Sequence, residues 1–109
     1  MTVLVTGGAG YIGSVMVELL VRAGESVVVL DNLSRGHRAA VPEGVPLLVG
    51  DVGDRVFVTE ALRRHRVRAV LHFAADSQVG ESMRIPGQYF RNNTVGVLSM
   101  LESMVEAGV

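Results

Sequence analysis

Apolar residues follow two rhythms along this chain. Val3-Leu4-Val5, Val27-Val28-Val29-Leu30, Leu47-Leu48-Val49 and Ala69-Val70-Leu71 are unbroken runs, whereas between them apolar positions recur every third or fourth residue. Unbroken runs of strand length fit strands buried on both faces, and the longer spacing fits helices with one buried face. The expected strands are 2–6, 26–30, 46–49 and 68–72, and the expected helices are 11–23, 54–66 and 86–107. Asp54 is suited to cap the second helix with its carboxylate, and Pro86 suits the first turn of the third. Pro42, Gly44 and Pro46 mark the connection 32–45 and its exit as irregular, and 73–84 reads as a loop.

Strands that alternate with helices make a parallel sheet, and their crossovers are right-handed. The strand order 3-2-1-4 follows, so the expected fold class is α/β: the first half of a doubly wound, Rossmann-like parallel sheet. No internal repeat, low-complexity tract or linker divides the 109 residues, which read as one domain. A sheet that stops at its fourth strand leaves an exposed edge and uncovered apolar faces, so the isolated chain is expected to be marginally stable and to self-associate.

The most informative chemistry lies where the first strand meets the first helix. Gly7-Gly8-Ala9-Gly10-Tyr11-Ile12-Gly13 joins them, and a glycine turn running into a helix N-terminus makes a cradle for a pyrophosphate. Glycines let the backbone approach the phosphates, and the helix start supplies unpaired N–H groups and the positive end of its dipole. Asp31 follows Gly13 by eighteen positions, at the tip of the second strand. A carboxylate there accepts both hydroxyls of an adenosine ribose and repels a 2′-phosphate, which favours NAD over NADP. Arg35 and Arg38 stand just downstream as potential phosphate ligands; the plainer reading of Asp31 is a solvated strand-end carboxylate.

Composition excludes several classes. A net charge of −1 gives no electrostatic case for nucleic acid or an anionic membrane. With no cysteine there is no disulfide, thiolate nucleophile or thiolate metal site. The opening Met1-Thr2-Val3-Leu4 has no basic segment and glycines soon interrupt it, so neither a leader nor a membrane span is expected, and cytoplasm is the default location. All 10 basic residues are arginine. A GC-rich genome accounts for that more simply than thermophily, whose signature includes lysine.

Val5-Thr6-Gly7-Gly8-Ala9-Gly10-Tyr11-Ile12-Gly13 resembles the opening of the extended short-chain dehydrogenases/reductases that act on nucleotide sugars, the NAD-dependent epimerase/dehydratase family. Asp31-Asn32-Leu33-Ser34-Arg35-Gly36-His37, His72-Phe73-Ala74-Ala75, Val79-Gly80-Glu81-Ser82 and Tyr89-Phe90-Arg91-Asn92-Asn93 are similar to the UDP-glucose 4-epimerases within it. The resemblance runs along essentially the whole chain. It implies that Gly7, Gly10, Gly13 and the backbone of Tyr11 and Ile12 meet the NAD pyrophosphate, and that Asp31 and Asn32 hold the adenosine ribose with Ser34 close by. Asp51 and Val52 would flank the adenine. Phe73, Ala74 and Ala75 would line the passage to the nicotinamide, Ser77 stands where many such enzymes have a lysine, and Asn92 would reach in from the last helix.

Enzymes of this type use a Tyr-x-x-x-Lys pair with a Ser or Thr: the tyrosine takes a proton from the sugar hydroxyl, and the lysine lowers the tyrosine's pKa. Here Val15 follows Tyr11 and Asn93 follows Tyr89 at that spacing, so no catalytic residue is assigned. The expectation is the NAD-binding portion of an epimerase that interconverts UDP-glucose and UDP-galactose through a 4-keto sugar, with residues 1–109 inactive alone. A fragment of a nucleotide-sugar 4,6-dehydratase or decarboxylase, and a non-catalytic NAD-binding module, are the alternatives. A nucleotide-sugar substrate of the full-length protein and a homodimer are implied by the resemblance.

Other polar features read as structure. His72 is expected to pack or hydrogen-bond, His37 and His65 are isolated, and no spacing suggests a metal site. Arg63, Arg64, Arg66 and Arg68 suit a helix C-terminus. Glu81 and Ser82 sit in the loop that would face the sugar. Val95, Leu98, Leu101, Met104 and Val105 form an apolar stripe read first as core and, through the resemblance, as part of a dimer bundle.

Overall fold

A computed structural model describes residues 1–74 and 91–109, with Arg91 and Asn92 described at the backbone only. Four parallel strands form one sheet: β1 (Thr2–Thr6), β2 (Ser26–Asp31), β3 (Leu47–Val49) and β4 (Val67–His72), in the order β3-β2-β1-β4. β1 is therefore internal, paired with β2 from Thr2↔Ser26 to Thr6↔Leu30 and with β4 from Val3↔Ala69 to Thr6↔His72. Helix α1 (Tyr11–Arg22) joins β1 to β2, and α2 (Arg55–Arg64) joins β3 to β4. A π-helical turn (Arg91–Val95) leads into α3 (Gly96–Ala107). This is the Rossmann-like arrangement expected from the unbroken apolar runs.

The runs hide a period of two. Val3, Val5, Val27 and Val29 face one side of the sheet and pack with Val17 of α1. Leu4, Val28 and Leu30 face the other side and pack with Val58 and Leu62 of α2 and Met100 of α3. Both sides of β1 and β2 are covered, so no polar residue is needed between their valines, whereas the edge strands β3 and β4 are partly exposed.

Local chemistry moves several boundaries. β2 runs one residue further than expected because Asp31 still pairs with Val49. α1 stops at Arg22, one residue early, as the backbone turns left-handed at Gly24 (φ +86°). α2 stops at Arg64 rather than residue 66, since Arg66 adopts φ +52°, and β4 begins at Val67. The expected start of the last helix at Pro86 lies outside the described residues. Asp54 caps α2 as expected, its Oδ1 accepting the Phe57 N–H at 3.2 Å.

The apolar stripe of α3 is not core. Val95, Leu98, Leu101 and Val105 are 47 to 81% exposed, and α3 instead buries Gly96, Met100 and Ser103, with Met104 packing partly against the core. The neighbour is α2: Met100 packs with its Val58 and Leu62, and Arg55 reaches Glu102 (2.8 Å) and Glu106 (3.2 Å), while the stripe faces outward. Arg63 also donates to the Glu106 carbonyl at 2.9 Å, so one of the arginines expected to serve its own helix end serves that of α3. These half-exposed pairs contribute at most about 1 kcal/mol each and mainly set how the two helices lie.

Asp54→Ala removes the side-chain cap of α2 and should cost about 1 kcal/mol, lowering Tm by about 4 °C in a thermal melt. Val56→Ala, at a position 78% exposed in the same turn, should change stability by less than about 0.5 kcal/mol.

Candidate functional site

The chain leaves β1 bonded on both sides. The Gly7 N–H donates to the Leu30 carbonyl at 2.8 Å, and the Phe73 N–H donates to the Thr6 carbonyl at 2.9 Å. Gly7 then turns at φ +70° and the Gly10 N–H closes the turn on the Gly7 carbonyl at 3.0 Å. A Cβ on Gly13 would lie 2.1 Å from that same carbonyl oxygen, so α1 starts directly on the turn only because residue 13 is glycine. Gly10, the N-cap, has no side chain to offer, and the first N–H groups of α1 are left for another acceptor. The Tyr11 and Ile12 side chains are 88 and 65% exposed, and neither residue lines the cleft beside the turn.

Asp31 is not a solvated strand-end carboxylate. It is 7% exposed, with Oδ2 accepting the Ala9 N–H at 3.0 Å and Oδ1 the Leu33 N–H at 2.7 Å. The first bond ties the tip of β2 to the glycine turn, and the second starts a tight loop in which Leu33 takes φ +62°. Asn32 Oδ1 then accepts the Ser34 N–H at 2.9 Å. The loop folds back so closely that a Cβ on Gly36 would lie 2.6 Å from the Ala9 carbonyl group, and the His37 N–H reaches the Ala9 oxygen at 3.1 Å. The run from Asp31 to His37 is thus a self-bonded lid edge on the glycine turn.

The opposite wall comes from β3 and β4. Asp51 Oδ1 accepts the Gly53 N–H at 3.0 Å and Val52 is buried beside it. Phe73 and Ala74 follow β4, and Thr6 Oγ1 approaches His72 Nδ1 at 2.6 Å. His72 is the hydrogen-bonding residue expected, and burial pushes its pKa below the usual histidine value.

Gly7, Gly10, Asp31, Asn32, Ser34, Asp51, Val52, Phe73 and Ala74 all line one cleft, with Gly13 beneath the turn. Ala75 and Ser77, like Glu81 and Ser82, lie outside the described residues, and so does the side chain of Asn92. Arg35 lines the cleft while Arg38 begins a 3-10 turn. Leu30, Gly36 and Gly50 also line it and were not singled out as ligands. Only Gly36 had a signal, its place between Arg35 and His37 in the motif. His37 is exposed, whereas His65 is half-buried as the C-cap of α2. Among the described residues no three His, Cys, Asp or Glu side chains are placed to hold a metal ion, and no helix is long and apolar enough to cross a membrane.

The model of the NAD dependent epimerase/dehydratase family matches residues 3–109. The UDP-glucose 4-epimerase of Streptomyces lividans is 53% identical over 107 residues, covering 97% of this chain and 32% of the relative. That of Streptococcus mutans is 52% identical, covering 100% of this chain and 33% of its own length. The crystal structure of the Thermus thermophilus UDP-glucose 4-epimerase in complex with NAD superposes with a TM-score of 0.96 at 46% identity, over 100% of this chain and 35% of that one. The chain spans about a third of the length of the relatives it matches.

Gly13→Ala should cost about 2–3 kcal/mol in chemical denaturation, because the methyl meets backbone that the sheet holds still. Gly53→Ala, whose Cβ would meet nothing nearer than 3.5 Å, is the tolerated control. The lowered pKa of His72 has a sign: the unfolded chain binds a proton that the folded one resists, so stability is full above 6.5 and falls as pH drops below it. Denaturation at a series of pH values should show that loss, and His72→Asn should lessen its slope.

Proposed function

The chain belongs to the NAD dependent epimerase/dehydratase family, and from that footing we propose that it is the NAD-binding portion of a UDP-glucose 4-epimerase-like enzyme. Asp31 carries the reading. Each of its carboxylate oxygens takes one backbone N–H and keeps a lone pair for a further donor, at a cleft lined by the glycine turn on one side and by Asp51, Val52, Phe73 and Ala74 on the other. The two hydroxyls of an adenosine ribose fit that need, and a 2′-phosphate would meet a buried negative charge.

The chain's own groups suit the rest of the dinucleotide. The uncapped start of α1 offers backbone N–H groups and a positive dipole end to the pyrophosphate. Cβ atoms at Gly7 or Gly36 would collide with backbone around the cleft, so both glycines keep it open. Asp51 and Val52 would flank the adenine, Asn32 and Ser34 would close over the ribose, and Phe73 and Ala74 would lead toward the nicotinamide; Ala75, Ser77 and Asn92 are assigned to the same end through the family resemblance alone. When bound, NAD supplies a hydride acceptor and donor for a sugar carbon. These 109 residues add no acid–base pair, because no lysine is present to follow either tyrosine. The reaction, a nucleotide-sugar epimerisation in galactose metabolism in the cytoplasm, belongs to the whole enzyme. The exposed stripe of α3 is in this reading the face that a second copy covers.

Isothermal titration should show NAD binding at least about tenfold tighter than NADP, and Asp31→Asn should weaken NAD by roughly tenfold, the value of one hydrogen bond to a charged group. Equal affinity for the two dinucleotides would refute the cofactor assignment. Purified chain should convert no UDP-galactose to UDP-glucose. Leu101→Glu should lower the average mass in sedimentation equilibrium, and an unchanged mass would remove α3 from the interface.

A further inference from the structure

We propose that Thr6 and His72 form a clamp of fixed tautomer that positions the Phe73–Ala74 peptide against Gly7 and so sets the width of the cleft. The argument begins with the capacity of one hydroxyl, which has a single proton and two lone pairs. Thr6 is fully buried, and its Oγ1 receives the Phe73 N–H at 3.1 Å and the Ala74 N–H at 3.3 Å. Those donors occupy both lone pairs. The hydroxyl proton is then directed to the remaining neighbour, His72 Nδ1 at 2.6 Å. Nδ1 is therefore the acceptor, and the neutral ring carries its proton on Nε2.

The reverse arrangement is penalised. A proton on Nδ1 would set an N–H donor against an oxygen whose lone pairs are already used. Burial, which lowers the His72 pKa, keeps the ring neutral so that one nitrogen remains an acceptor. Nε2 is buried and without a partner among the described residues, so the ring is held through Nδ1 alone.

The clamp matters because of what it grips. The Phe73 N–H is shared between the Thr6 carbonyl and hydroxyl, and among the described residues the Ala74 N–H has only the hydroxyl. A Cβ on Gly7 would lie 2.7 Å from the Phe73 carbonyl group and 2.8 Å from the Ala74 nitrogen. The two backbones that bound the cleft thus touch with no side chain between them, and the Thr6 hydroxyl decides where one of them lies. Thr6 and His72 are positioning residues; neither lines the cleft. The effect on dinucleotide affinity rests on the proposed NAD site, whereas the tautomer does not.

Nitrogen-15 NMR of the histidine rings in the 109-residue chain, with NAD titration of the same samples, tests the clamp. Wild type should show His72 as the Nε2–H tautomer. Thr6→Val, nearly equal in shape, should lose that tautomer preference and bind NAD roughly tenfold more weakly, and Thr6→Ser should restore both. A wild-type His72 protonated on Nδ1, or a Thr6→Val chain with unchanged tautomer and affinity, overturns the proposal. If Thr6→Val does not fold, the position of the acceptor decides. His72→Asn keeps an oxygen near the place of Nδ1 and should bind NAD as wild type does, whereas His72→Gln moves it and should not; equal binding by both overturns the clamp. A wild type with the expected tautomer but no NAD binding overturns the cofactor reading and leaves the clamp standing.

Discussion

The tip of β1 is the constraint on which the site depends. β1 is hydrogen-bonded along both edges, and the bonding continues past its last residue: Gly7 reaches Leu30 on one side and Thr6 receives Phe73 on the other. A strand held on both sides cannot shift without breaking two ladders. The glycine turn that leaves it is therefore placed to within the tolerance of the sheet rather than that of a loop. Gly13, packed on the Gly7 carbonyl, passes that position on to α1, and Ala9, bonded through Asp31, passes it to the loop after β2.

Backbone groups make most of this site, which explains its composition. Glycines stand where walls approach too closely for a methyl, and short polar side chains spend their oxygens on nearby N–H groups. Asp31, Asn32 and Asp51 each hold a turn with one oxygen. Asp31 has a second duty: its other oxygen joins the β2 tip to the glycine turn, so the residue assigned to the ribose is also part of the frame. Replacing it alters both, and binding measurements need a stability measurement beside them.

The same sheet leaves apolar surface uncovered. Ile12, Val15 and Leu19 of α1 and Leu98, Leu101 and Val105 of α3 are each at least half exposed. Each helix buries one face against the sheet and still shows apolar residues outward. The Thermus thermophilus UDP-glucose 4-epimerase, of which this chain covers 35%, shares this portion at a TM-score of 0.96.

Unbroken apolar runs, a glycine turn before a helix, an acid after the second strand and an aspartate before the second helix were enough to read the parallel order, the cap at Asp54 and the placing of the glycine turn beside Asp31, whereas Asn32, Ser34, Asp51, Val52, Phe73 and Ala74 came through the family resemblance. These features were legible because each rests on local rules: a doubly covered strand needs no polar alternation, and a cap acts within one turn. The facing of α3 was not legible. Its apolar stripe and its buried Met100 and Ser103 both have helical spacing, and only the packing against α2 and the sheet distinguishes them. Nor did the sequence show that Asp31 braces the glycine turn or that Thr6 grips His72 and the Phe73–Ala74 backbone. Those pairs are 22 and 66 positions apart, and their contact exists only because the parallel register brings the strand tips to one edge.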